Sequence, residues 1–272
     1  MAVSLRRPWL RTLGEDPRFY QSSVLAGLVG YGVLWLDFAV SVPQLVTILG
    51  TALLTQAVGQ WVWHMSPYDP RSALISALSL CLLLRTNALR LTVLATILSL
   101  GSKFVLRWRH KHLFNPTNFG LVATMLLSDQ VWVSPGQWGS GVTLAFLLAC
   151  CGGMVVYRAS RSDVTLAFLA ILIGLRWGRA WWLGDPWSIP LHQVQNGALV
   201  LFAFFMISDP RTTPDSRLGR LVFAGLVALG GWYGQLTWYR SDALLWSLAV
   251  CTLTVPLLNW LWPGPPYAWP GR

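Results

Sequence analysis

Ten apolar runs of about twenty residues follow one another along this chain, near 20–38, 43–64, 72–87, 88–106, 114–133, 140–157, 163–182, 191–208, 219–239 and 242–262. A helix needs about 20 mostly apolar residues to cross the hydrocarbon core of a bilayer. A helix that is apolar all round must lie in lipid or deep in a large core, and ten of them use most of the 272 residues. Only 11% of residues are charged and mean hydropathy is +0.52, whereas soluble domains carry about 25% charge. The sequence therefore predicts an all-α polytopic membrane protein. Residues 1–19 form a cytoplasmic interfacial segment, 20–262 a single transmembrane domain of about ten helices, and 263–272 a cytoplasmic tail.

Turn-rich segments separate the runs at Ser66–Arg71, Ser134–Gly139, Asp185–Pro190 and Asp209–Asp215. Between the third and fourth runs the only marker is Arg85–Arg90. With the N-terminus in the cytoplasm, 15 of the 20 Lys and Arg residues fall on the cytoplasmic side and 5, namely Arg85, Arg90, Arg176, Arg179 and Arg240, fall outside. This bias is the one that orients membrane proteins. Both termini are therefore expected in the cytoplasm, as in a bacterial inner membrane. Trp61, Trp63, Trp132, Trp138, Trp181, Trp182, Trp238, Trp260 and Trp262 sit at run ends, as aromatic belts do.

The net charge of +10 is spread between apolar runs and forms no nucleic-acid patch. Cys81, Cys150, Cys151 and Cys251 lie inside apolar runs with no C-x-x-C spacing and read as packing residues. The first twenty residues have no apolar core or small-residue cleavage site, so no signal peptide is expected. No metal site is expected. Haem and iron–sulfur clusters are not expected either, because His64, His110, His112 and His192 all fall at run ends. At an offset of 80, His112–Asp129 aligns without gaps with His192–Asp209 and shares five identities in 18. The two segments would run in opposite directions, as inverted repeats do.

Two segments concentrate polar residues at run entrances. In Lys111–Gly120, Asn115 before Pro116 reads as an N-cap with proline at the first helical position, and Asn118 shares a face with Asn115. Such amides at a positive helix end suit an anion, a flavin edge or a quinone carbonyl; helix capping and an interhelical hydrogen bond are the plainer reading. In the second segment, Gln195 and Asn196 open the eighth run and Asp209-Pro210 closes it, with Asp209 either structural or at a ligand entrance. Thr213-Pro214-Asp215 reads as another helix start. Arg176 lies at membrane depth, where its fork suits a carboxylate or phosphate; the alternative is snorkelling to the surface. Asp37 reads as an interface residue or a cation partner.

FNPTNFG at 114–120 and FFMISDPRTTPDS at 204–216 resemble the corresponding stretches of the NqrB/RnfD family, which comprises one membrane component each of the sodium-pumping NADH:quinone oxidoreductase and the Rnf electron-transport complex. The resemblance covers about residues 70–220. It implies two inverted five-helix repeats, flavin binding and electron transfer coupled to ion movement. The large members carry FMN on a threonine in an S-G-A-T-like motif; here Ser140-Gly-Val-Thr143 is the nearest match, with valine in place of alanine and no extended loop. Thr143 is thus the covalent FMN candidate, and non-covalent FMN or riboflavin is preferred. The chain lacks a soluble NADH or iron–sulfur module, so any enzymatic role is that of a subunit and not of a complete oxidoreductase.

The resulting expectation is an electron-transport membrane protein in the lipid bilayer. It would bind flavin or quinone through Asn115, Asn118, Gln195, Asn196, Arg176 and Asp209, and work with a redox partner protein or other membrane subunits. Two alternatives remain open: a small-solute or vitamin (flavin) permease, and an accessory or assembly subunit.

Overall fold

The computed structural model describes residues 16–65, 68–109, 111–138 and 142–268, with the side chains of 142–147 outside that description. Each predicted run holds a helix, and the ends follow local chemistry. Asp16 caps α1 (Pro17–Trp35) and Ser41 caps α2 (Val42–Val62), each with proline in the first helical positions. The helix α3 (Arg71–Leu83) stops before the extended pair β1 (Leu84–Arg85). The helices α4 (Leu89–Val105) and α5 (Pro116–Leu127) are joined by the two-residue strands β2 (Arg107–Trp108) and β3 (Lys111–His112). Beyond α5, β4 (Trp132–Val133) pairs antiparallel with β1.

The second half contains α6 (Val142–Arg158) and α7 (Ser162–Leu183). Next come α8 (Ser188–Val194), α9 (Gly197–Leu201) with a π-helical turn over Phe202–Met206, and α10 (Arg217–Thr237). Last are α11 (Ala243–Thr252) and α12 (Val255–Leu261). Gly184 ends α7 at φ 71°, a left-handed conformation that costs glycine nothing.

Among the described residues α2 and α7 are long and apolar enough to cross a membrane, and there are up to four such spans if each bent pair, α8 with α9 and its π turn, and α11 with α12, counts as one. Both pairs bend by 50°. Helix α3, helix α5 and the Leu148–Arg158 part of α6 are apolar but shorter. The third predicted run is thus helical only to Leu83 and the fifth only over Pro116–Leu127. Leu54, Trp61, Leu126, Trp182 and Trp260 are at least 66% exposed, an apolar outer surface suited to lipid and not to water. The chain is an integral membrane protein.

Helix pairing follows a pattern. In the first half α1 packs on α3, α2 on α4, and α4 on α5; in the second, α6 packs on α9 and its π turn, α7 on α10, and α10 on α11. Taking each bent pair as one segment, these are the first–third, second–fourth and fourth–fifth pairs of each half. The halves also meet through α1 with α6 and α5 with α11, the first and fifth segments of each. The pattern relates the fifth segment to the tenth, whereas the alignment at offset 80 relates the fifth to the eighth. Helices α4 and α5 pack closely at Gly120, where a Cβ would lie 2.6 Å from the Ala95 carbonyl oxygen. Small residues allow this approach where no water drives helices together.

Three further sequence expectations change. Arg85 is not a loop charge: it is 2% exposed and donates to the carbonyls of Cys81, Leu82 and Leu84 and to Gln137 Oε1. A cation there satisfies the orphan carbonyls at the end of α3. Trp138 is not in a belt but buried, edge-on to Phe38 with ring centroids 4.8 Å apart. The helix start read at Thr213–Asp215 lies at Ser216, whose side chain accepts from the Gly219 N–H. All four cysteines are free; Cys81 is buried and Cys150 exposed.

Candidate functional site

Lys103 sits in the last turn of α4, a mostly apolar helix, and is 4% exposed. Its Nζ donates to Gln56 Oε1 of α2 at 2.6 Å and to Ser72 Oγ of α3 at 3.2 Å. An ammonium has three donors, and these two neutral acceptors use two of them. The helix C-terminus supplies favourable partial charge for the cation. Lys103 faces a cavity of about 170 Å³ that is also lined by Gln56, His112, Asn115, Asp69 and Asp209.

The far wall of the cavity is the π turn. A π turn breaks the regular ladder and frees carbonyls for other donors, which is why such turns recur at functional sites. Here Thr165 Oγ1 donates to the Ala203 carbonyl at 2.8 Å, Ser208 Oγ to that of Phe204, and Asn115 Nδ2 to that of Met206 at 3.3 Å. The same Asn115 amide reaches Asp209 Oδ2 at 3.4 Å, while Asn115 Oδ1 caps α5 by accepting from the Asn118 N–H at 3.1 Å. Asp209 Oδ1 accepts from the Arg211 N–H, and the Asp209 carbonyl accepts from Thr212 and Thr213. Burial pushes the Asp209 carboxyl up, against the lowering effect of the Arg211 N–H and of nearby positive charge.

His112 enters from β3. Its Nδ1 is buried with no partner. Burial, and then the charges of Lys103, Arg211 and Arg107, push the imidazole down to about 3. Around the mouth, Arg18 binds Asp16 at 2.7 Å and Asp69 at 2.9 Å, and Arg71 binds the same two carboxylates at 2.7 and 2.9 Å. Burial raises the Asp69 carboxyl, but the hydrogen bonds and charge of Arg71 and the charge of Arg18 outweigh this and hold it below the usual carboxylate range. Lys111 joins Asp215 at 2.6 Å, and Arg220 joins Asp163 at 2.6 Å.

The residues singled out in the sequence fall in separate places. Asn115 and Asp209 meet at the Lys103 cavity. Asn118 is fully buried beside it, with Nδ2 on the Leu245 carbonyl of α11 at 3.1 Å and Oδ1 unpartnered. Gln195 and Asn196 lie at the opposite end of the α9–π segment, about 15 Å away at a helical rise. Asn196 caps α9 by accepting from the Ala198 N–H at 2.8 Å. Arg176 and Asn196, but not Gln195, line a second cavity of about 410 Å³, where Arg176 donates to the Gln193 carbonyl at 2.9 Å and to Gln235 Oε1 at 3.3 Å. Thr143 is helical, but its side chain, Ser140 and Gly141 lie outside the described residues. The sequence reading missed Lys103, Gln56 and His112. The charge count puts Lys103 among the 15 cytoplasmic charges, although a lysine inside an apolar run marks function by default.

No protein-family model matches the chain. It is 38% identical over 125 residues to the D-type component (RnfD) of the ion-translocating oxidoreductase complex of Alcanivorax borkumensis, covering 44% of this chain and 34% of that one. The chain is similar to the RnfD components of ion-translocating oxidoreductase complexes. The RnfD of Citrobacter koseri is 30% identical over 129 residues, and that of Escherichia coli O1:K1 is 31% identical over 128. Both matches cover 46% of this chain and 34% of the relative, so the matched part spans about a third of each RnfD. These likenesses agree with the NqrB/RnfD resemblance carried by residues 114–120 and 204–216.

Proposed function

We propose that this chain is an electron-transport membrane subunit of an ion-translocating redox assembly, with the Lys103 cavity as its polar binding chamber. The similarity to RnfD carries this reading, and the cavity gives it a location. About 170 Å³ is small beside the roughly 300–1,000 Å³ of usual ligand pockets. That volume does not fit a whole flavin; it suits a quinone ring or a flavin edge. Lys103, as an ammonium, has a third N–H for a carbonyl, while the unpartnered Nδ1 of the neutral His112 ring can accept from a hydroxyl. A bound quinone or flavin would supply the electron-carrying centre. The chain's own residues would orient it, exclude bulk water and present positive charge.

The architecture proposed with this function is ten spans in two inverted five-helix repeats, spanning 20–262, with both termini cytoplasmic. It is supported by the recurring pairing pattern and by the loop contacts. Arg18–Asp69, Lys111–Asp215 and Arg220–Asp163 each join segments assigned to the cytoplasmic side, and β1–β4 joins two assigned outside. The Lys103–Gln56 pair bridges the second and fourth helices of one half, and Arg176–Gln235 bridges those of the other. Paired half-cavities of this kind also favour a second reading, a permease for a small solute.

The test is to purify the chain in mild detergent, record its visible spectrum before and after acid precipitation, and extract it for quinone. Flavin in the acid supernatant or quinone in the extract, reduced by Lys103→Met, is the expected result. Flavin left in the pellet would point to covalent attachment and to Thr143. Absence of both from wild type, with solute uptake by proteoliposomes, would replace the redox reading by the permease. Loss of both without uptake would leave an accessory subunit.

A further inference from the structure

At the end of the bundle away from Lys103, two hollows share a wall. One is an apolar groove of about 620 Å³ along α7 from Ile171 to Leu183, closed on its other side by Trp232 and Leu236 of α10. The other is the basic cavity of about 410 Å³ that holds Arg176, Arg179 and Arg240. Arg179, Trp232 and Leu236 line both. The groove is open at Gly174 and Gly178, where an added Cβ would meet nothing within 4 Å. From Ile171 to Leu183 it covers about 18 Å at a helical rise, close to the ~15 Å depth of one leaflet's hydrocarbon. Trp181, Trp182 and Trp238, all at least 66% exposed, mark the headgroup level at its end.

The charge at that end is unbalanced. Three arginines line the basic cavity against one carboxylate, Asp185. Arg179 reaches Asp185 only at 3.5 Å, Arg240 is held by Asp242 at 2.8 Å, and Arg176 is hydrogen-bonded to the neutral groups of Gln193 and Gln235. An apolar slot one leaflet deep, with excess positive charge at its headgroup end, matches a molecule with an apolar chain and an anionic head. A zwitterionic lipid would fill the slot and leave that charge uncompensated.

We propose that this composite hollow binds one anionic phospholipid, with an acyl chain along Gly174 and Gly178 and the phosphate among Arg176, Arg179 and Arg240. The site is distinct from the Lys103 chamber and does not depend on the redox reading.

Native mass spectrometry of the purified chain, titrated with phosphatidylglycerol or phosphatidylcholine, tests it. Wild type is expected to retain one phosphatidylglycerol in preference to phosphatidylcholine. Each neutralised arginine should lower retention about fivefold, as expected for one basic residue at an anionic lipid surface. Arg179→Gln is at an exposed position and Gly178→Leu fills open space, so both variants should fold, checked by monodisperse elution. Gly178→Leu should lower retention with every arginine intact. Equal retention of the two lipids, or an unchanged Gly178→Leu variant, would overturn the proposal. So would displacement of the lipid by inorganic phosphate alone, which would mark a free-anion site. Loss of a bound second protein or second copy in Gly178→Leu, with lipid retained, would instead make the groove a helix-docking face.

Discussion

At the residue scale, two acid-sensitive groups flank the same cavity and act in different pH windows. His112 is pushed down to about 3 from the ordinary 6.5. Between those values the unfolded chain holds the proton and the folded one does not, so stability rises with pH there. The His112 contribution is complete above about 6.5 and is lost as pH falls towards 3, with a slope of at most ~1.4 kcal/mol per pH unit. His112→Gln should flatten the fall of Tm between pH 6.5 and 4 in detergent; superimposable curves would show that the imidazole ionises freely. Asp69 is lowered from the carboxylate range by its arginine partners. Its contribution is present above that range and fails only below about pH 4. Asp69→Asn removes one carboxylate from the Arg18–Arg71 cluster and should cost about 1–3 kcal/mol at neutral pH, because Arg71 is part-exposed and Asp16 still binds both arginines. An unchanged Tm would mean that the cluster is solvated. Of these residues only Asn115 could be placed from its neighbours, because Asn-Pro before an apolar run is a capping signal in itself. Lys103 could not be placed this way, since a lysine near the end of a run looks the same whether it turns out to water or inward.

At the element scale, α5 depends on two contacts of different kinds. Its start rests on Asn115 Oδ1 and the Asn118 N–H, so Asn115→Ala should cost about 1 kcal/mol for the cap. It would also release Met206 and Asp209 from the amide. Its middle rests on the missing side chain of Gly120 against Ala95 and Ser99 of α4. Gly120→Ala puts a methyl against backbone, and overpacking of this kind costs about 1–3 kcal/mol. Thermal unfolding in detergent would read both, and a neutral Gly120→Ala would mean that α4 and α5 can separate freely. The third and fifth apolar runs show where element prediction from hydropathy stops. Residues 84–88 continue the third run without a glycine or proline, yet Arg85 must turn back to cap α3, so the helix ends there. The π turn at Phe202–Met206 is likewise invisible in composition. It exists because Thr165, Ser208 and Asn115, from other segments or beyond the turn, satisfy the carbonyls it releases.

At the scale of the whole molecule, ten spans place the exposed Gly136 outside and the exposed Pro266 in the cytoplasm. Single cysteines at these two positions, in a background with the native cysteines replaced, should react with a membrane-impermeant thiol reagent in opposite vesicle orientations. Labelling of both from the same side would sink the ten-span topology. Moving Lys103 and Arg85 from the loops into the bundle removes one positive charge from each side of the count and leaves the bias in place. The sequence by itself determined where apolar helices form, that Asn115 caps α5 and which loops carry the positive charge. Each of these depends on hydropathy, capping and charge within a stretch of about twenty residues. Only the tertiary structure decided which polar groups share a cavity. Lys103 and Gln56 are 47 residues apart and Asn115 and Asp209 are 94 apart, while Asn196, which opens the same helical segment that Asp209 follows, faces the other end. Whether such groups meet depends on how whole helices pack against one another, and the pattern within any single run carries no record of that.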